Sequence, residues 1–170
     1  MPPNALPRTV IVSDSAVAAG LGVPLSPGPQ WVVFTCDGRR FVVPLERVRE
    51  ILTPQPLTRL PGCGPEVAGL AGVRGRVVTT FDLGVLLTAR PSAAVADHRL
   101  LLVEHGERLV GAAVDEVVTV TRATTEAFLP GEPGFTGLRL RREDVAGAGR
   151  IDGEPFVSLN LDAILGRVLA

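Results

Sequence analysis

The chain contains part of itself twice. Residues 67–87 lie without a gap over residues 145–165, 78 positions later, and six aligned positions are identical: Val67, Ala68, Gly69, Gly75, Leu83 and Leu87 meet Val145, Ala146, Gly147, Gly153, Leu161 and Leu165. Val73/Ile151, Asp82/Asn160 and Leu86/Ile164 are close exchanges. A self-match of this kind describes one small β unit used twice in a single body. Two like units leave a crevice between them, and crevices receive partners. The repeat therefore points to an interaction module before any catalytic residue is considered.

With 170 residues, 46% of them hydrophobic, the chain can bury a sizeable core as one domain or two tightly packed halves. No apolar run approaches the roughly 20 residues of a membrane helix, and no basic-then-apolar signal pattern follows Met1. The expected location is the cytoplasm. A net charge of −1 with 4% aromatic residues supplies neither a phosphate-binding footprint nor a base-stacking platform, so nucleic acid is not an expected partner. The two cysteines, Cys36 in an apolar run and Cys63 in PGCGP, have no CxxC or His spacing and read as a buried thiol and a loop thiol.

Residues 1–30 are rich in Pro, Gly and Ser and read as a flexible extension, with residues 9–12 able to pair as an edge strand. From Trp31, WVVFTC, the turn DGRR and FVVPL predict a β-hairpin. Residues 45–52 fit a helical face through Leu45, Val48 and Leu52 and equally a strand through Val48 and Glu50. A glycine-spaced stretch, GLAGVRG, precedes a strand at 77–81, and Asp82 is placed to cap the short helix DLGVLL. Residues 90–97 form a polar linker between a first repeat half at 31–91 and a second at 97–170. The second half opens with a hairpin that echoes the first at an offset of 69, since Phe41, Leu45, Glu46, Val48 and Ile51 fall on Val110, Val114, Asp115, Val117 and Val120. The expectation is an all-β chain of two small barrels with short helices and a last helix at 162–169.

Catalytic chemistry finds little support. His98 and His105 flank the second hairpin with Asp97 and Glu104 beside them, but neighbours along a strand point to opposite faces, and both read as solvated loop histidines. Asp82, Asp115 and Asp144 lie at strand ends, where capping and turn closure account for them. The chain has no GxSxG elbow, and Gly69, Gly72 and Gly75 match no phosphate loop. No catalytic residue, cofactor or metal ligand is assigned. Arg74 differs in kind, being a guanidinium held between Val73 and Gly75 on a sharp turn, with Asp152 as its repeat counterpart. It reads either as a solvated turn arginine or as a rigidly carried anchor for a partner's carboxylate.

Phe34, FVVPLERVREIL at 41–52, LPG at 60–62, VAGLAGVRGRVV at 67–78, FDL at 81–83 and VGAAVDEVVTV at 110–120 together resemble the successive signatures of the CheW family. The resemblance runs from about residue 31 to the C-terminus. It implies two small SH3-like β-barrel subdomains about a hydrophobic interface, related here by the internal repeat. It also implies a non-enzymatic adaptor that couples the cytoplasmic tip of methyl-accepting chemoreceptors to the regulatory domain of a CheA-type histidine kinase. Such an adaptor is cytoplasmic, without membrane insertion, and is recruited to receptor arrays at the inner face of the membrane.

Position by position, the resemblance puts Val48 and Glu50 on the receptor-facing stretch, with Arg74 as the family's arginine of the same kind. Val114, Asp115 and Val117 match the second-half signature, where packing and contact are both possible roles. The chain departs from the family pattern at Gly72, where Asn is common, and at Thr79 and Thr80, which replace a Pro-Val-like run. Those departures leave open a pathway-specific or regulatory module that binds only receptor or only kinase. A small enzyme or ligand-binding barrel is the remaining alternative, and it requires polar side chains converging in a deep pocket.

Overall fold

Two apolar runs, WVVFTC and LLLV, become strands buried on both faces, and this decides the architecture. The computed structural model describes residues 12–13, 30–122, 137–151 and 153–169. Asp152, most of the expected N-terminal extension and most of the insertion at 121–140 lie outside them. Strand β1 (Val12–Ser13) is followed by β2 (Gln30–Cys36), β3 (Arg39–Pro44), β4 (Val48–Leu52), β5 (Leu57–Thr58), β6 (Val67–Val73) and β7 (Arg76–Asp82), then helix α1 (Leu83–Thr88). The second half supplies β8 (Arg99–His105), β9 (Arg108–Val114), β10 (Glu116–Arg122), β11 (Val145–Ile151), β12 (Glu154–Leu159) and α2 (Leu161–Leu169).

The strands form two six-stranded sheets, β1-β10-β2-β3-β12-β11 and β4-β8-β9-β7-β6-β5. Neither sheet belongs to one repeat half. Each takes its central hairpin from one half and most of its flanking strands from the other, so β2 and β3 sit among β10, β11 and β12, while β8 and β9 sit among β4, β5, β6 and β7. The echo extends to irregularities. The register shift between Val48 and Glu50 recurs 69 positions later between Val117 and Thr119, and the one between Val67 and Gly69 recurs 78 positions later between Val145 and Gly147. Parallel pairing closes both sheets in the same way, Thr80 against Gly111 and Ser158 against Val42.

Alternation along β2 sends Trp31 and Val33 to a small core with Val42 and Phe156, and Val32, Phe34 and Cys36 to a large one. Along β8, Leu100 and Leu102 join Ala71, Val73, Val78 and Ala113, while Leu101 and Val103 join the large core. Each sheet thus encloses its own small core, and both contribute to a shared one completed by Leu83, Leu87, Ile164 and Leu165 of the helices. Phe34 and Phe41 stack there with ring centroids 5.8 Å apart.

Residues 45–52 resolve into both of the forms their pattern allowed. Leu45–Arg47 is one 3-10 turn and β4 follows it, an arrangement that lays Leu45 and Val48 on the shared core. Most of the glycine-spaced stretch, to which the sequence pattern assigns no element, belongs to strand β6. Its Gly69, at φ +144°, passes so close to β5 that a Cβ would lie 2.7 Å from the Thr58 carbonyl oxygen. Asp82 caps α1 by accepting from Val85 N at 3.2 Å, and it also accepts from Ser92 N and Ala93 N at 2.8 and 2.9 Å. The 90–97 linker is therefore pinned to the core by Asp82. Among the described residues no helix is long and apolar enough to cross a membrane.

Only Val12 and Ser13 of the first 29 residues are described, pairing with Arg122 and Thr121. Deleting residues 1–29 removes that two-residue ladder, worth about 1 kcal/mol, and is expected to shift the melting temperature by roughly 2–4 °C. Differential scanning calorimetry checks this. A loss of about 10 °C or more would show that the extension is part of the fold.

Candidate functional site

The β6–β7 connection is a two-residue turn in which both central residues, Arg74 at φ 50° and Gly75 at φ 78°, are left-handed. Such turns match the twist of their strands, and Gly, Asn or Asp normally fills them. The β2–β3 turn follows that rule with Asp37 and Gly38. Arg74 does not, and a Cβ-bearing residue there pays a backbone strain that glycine avoids. The turn carries its guanidinium to β4, where Nη2 donates to Glu50 Oε1 at 2.6 Å. Arg74 is 78% exposed and Glu50 29%. An exposed pair of this kind adds little stability, and a guanidinium has five donors, so its outer edge can receive a second acceptor.

Val48 stands two residues before Glu50 on the same strand, half-buried against the shared core. Ile51, one residue beyond Glu50, is 36% exposed, and Val77 on β7 is 72% exposed. Neither is among the site residues expected from the sequence. The in–out alternation of VREI carried a signal for Ile51, whereas Val77 sits in an apolar run that gives none.

The second-half candidates are placed differently. Val114 is wholly buried in the shared core, so packing is its part and it offers no contact surface. Val117 is half-buried against the same core on β10, opposite Phe34. Asp115 closes a turn by accepting from Asp37 N at 2.9 Å. The structure thus joins Glu50 to Arg74 beside Val48 and leaves Val114 out of that surface.

Neither histidine is a solvated loop residue, which corrects the expectation. The linker folds as successive turns, with Val95 N donating to Ser92 O and His98 N to Val95 O. This tucks His98 to 7% exposure with its Nδ1 2.8 Å from the Val95 carbonyl. His105 Nδ1 lies 3.2 Å from Asp162 Oδ1. Cys36 is buried, and burial pushes its thiol up to about 12, so it stays protonated and unreactive at neutral pH. Among the described residues no three His, Cys, Asp or Glu side chains group as a metal site.

A family model described as CheW-like domain matches residues 30–169. The chain belongs to the CheW-like family. This membership places it among chemotaxis scaffold proteins. It is 35% identical to Protein PilI of Pseudomonas aeruginosa over 114 residues, covering 66% of this chain and 64% of that protein. It is 24% identical over 138 residues to Chemotaxis protein CheW of Klebsiella aerogenes, covering 81% of this chain and 82% of that protein. Among solved structures, the scaffolding protein TtCheW from Thermoanaerobacter tengcongensis superposes with a TM-score of 0.70 at 20% identity, covering 81% of this chain and 92% of that one. At that identity the likeness speaks for the fold, two SH3-like subdomains.

Proposed function

We propose that this CheW-like chain is a non-enzymatic adaptor that binds the cytoplasmic tip of a methyl-accepting chemoreceptor and the regulatory domain of a CheA-type histidine kinase. It would hold the two in one array at the inner face of the membrane. The match to the CheW-like domain over residues 30–169 carries the reading. The surface of Val48, Glu50 and Arg74 is assigned to the receptor, since it combines a half-buried apolar residue with an ion pair whose outer side is open. Val117 belongs to the same assignment from the second half, whereas Val114, wholly buried, is given a packing part only.

The test is calorimetric titration of the full chain with a receptor cytoplasmic hairpin and, separately, with a CheA-type regulatory domain. Two saturable isotherms are expected, and chain already saturated with one partner still binds the other. Two flat titrations would overturn the proposal. A second reading, a module that binds only receptor or only kinase, draws on the similarity to Protein PilI and on Thr79 and Thr80 replacing the commoner apolar run. One flat isotherm would select it.

A further inference from the structure

β4 begins under a clamp. Arg47, the last residue of the 3-10 turn before it, grips Asp162 with both guanidinium ends, Nη1 to Oδ2 at 2.9 Å and Nη2 to Oδ1 at 2.5 Å. Its Nη2 also donates to the Glu104 carbonyl at 2.7 Å. Arg49, two residues on, pairs with the Glu104 carboxylate, its Nε 2.7 Å from Oε1. Asp162 lies in the first turn of α2, after β12, whereas Glu104 and His105 end β8, so the clamp fastens the head of β4 to its neighbour strand and to the C-terminal helix. The Arg47 bond holds the Asp162 carboxyl below the usual carboxylate range, so the pair is ionised at neutral pH.

The repeat supplies an internal control. Positions equivalent to Arg47, Glu104, His105 and Asp162 are Glu116, Thr35, Cys36 and Gly84, which contain no cation and so make no such clamp. That corner is closed by the Ser92 hydroxyl donating to Cys36 Sγ at 3.6 Å and by the backbone of Ser92, which a Cβ on Gly84 would meet at 2.7 Å. The shared architecture therefore closes this corner without ions. The clamp also leaves Arg47 Nε buried with no acceptor, a cost tolerated for the sake of the guanidinium's placement. Arg47 and Asp162 are 29% and 56% exposed, so water screens the pair and its contribution to global stability is small. A bidentate pair contributes geometry in any case.

We infer that Asp162 is a positioning residue, acting through Arg47 to fix the head of β4 and with it Val48 and Glu50. The consequence for receptor binding rests on the proposed assignment of that surface; the clamp itself does not. The experiment compares the full chain with Asp162→Asn, Arg47→Gln and the double variant, reading amide hydrogen exchange by NMR, melting temperature and affinity for a receptor cytoplasmic hairpin. Exchange of the β4 amides is expected to rise about tenfold in each single variant and no further in the double. The β2–β3 amides and the melting temperature hold. Unchanged exchange at 48–52, or a rise shared equally by β2 and β3, would overturn the inference. Receptor affinity is expected to fall three- to tenfold, on the order of 1 kcal/mol. Faster β4 exchange with undiminished affinity would keep the clamp and overturn the receptor assignment instead.

Discussion

Arg167→Met is expected to lower the melting temperature by roughly 4–16 °C, from a loss of about 2–4 kcal/mol at 2–4 °C per kcal/mol for a chain of this size. The reason is Asp144, whose side chain has no exposure at all. Arg167 Nη1 donates to both of its oxygens, at 2.8 and 2.9 Å, and Arg141 N donates to Oδ2 at 2.9 Å. Removing one partner of a buried pair leaves an uncompensated charge, at about 3–5 kcal/mol when the site is fully dry. Arg167 is 26% exposed, so water recovers part of that cost and the lower figure applies. Adding Asp144→Asn to Arg167→Met removes the stranded charge and is expected to restore about half of the loss. Thermal and urea unfolding of the three variants checks the series. A melting temperature within about 2 °C of the parent for Arg167→Met would show that water solvates Asp144 once the arginine is gone.

The same turn shows how far the sequence could be read. Asp144 and Glu66 are repeat equivalents, and their carbonyls accept from Asn160 N and Asp82 N, both at 2.8 Å. The repeats at offsets of 78 and 69 located the matched segment that begins one residue after this pair and the twin hairpins, because repeated sequence repeats its local hydrogen bonding. It did not reveal that each sheet mixes the two halves. Likeness between segments says which are equivalent and is silent on which pair. β6 was hidden for a local reason, since glycines that normally break a strand here allow the close pass of Thr58. His98 was hidden for a non-local one, since only the folding of 90–97 onto Asp82 buries it. The Glu50–Arg74 surface was legible through motif positions 24 residues apart. Arg47 and Asp162, 115 residues apart, offered no local pattern at all.

Arg74→Gly is expected to separate binding from folding more cleanly than any change at Val48. Val48 packs on the shared core, so Val48→Glu buries a charge and loses stability together with any contact. At Arg74 the two effects have opposite signs. Glycine at φ 50° relieves left-handed strain worth up to about 1 kcal/mol and keeps the two-residue turn, while the exposed pair with Glu50 adds little to set against it. The melting temperature is therefore expected to hold or to rise by a degree or two, roughly. Affinity for a receptor hairpin is expected to fall about tenfold or more, since arginines on rigid turns are frequent hot spots and tenfold is about 1.4 kcal/mol. Arg74→Lys keeps the charge but loses the planar fork, and should recover only part of the affinity if a bidentate carboxylate contact is what the turn presents. If Arg74→Gly binds the hairpin as tightly as the parent, the arginine is a solvated turn residue and the receptor surface lies elsewhere. If it binds weakly while melting no lower, an unfavourable backbone conformation is being kept for the sake of a partner.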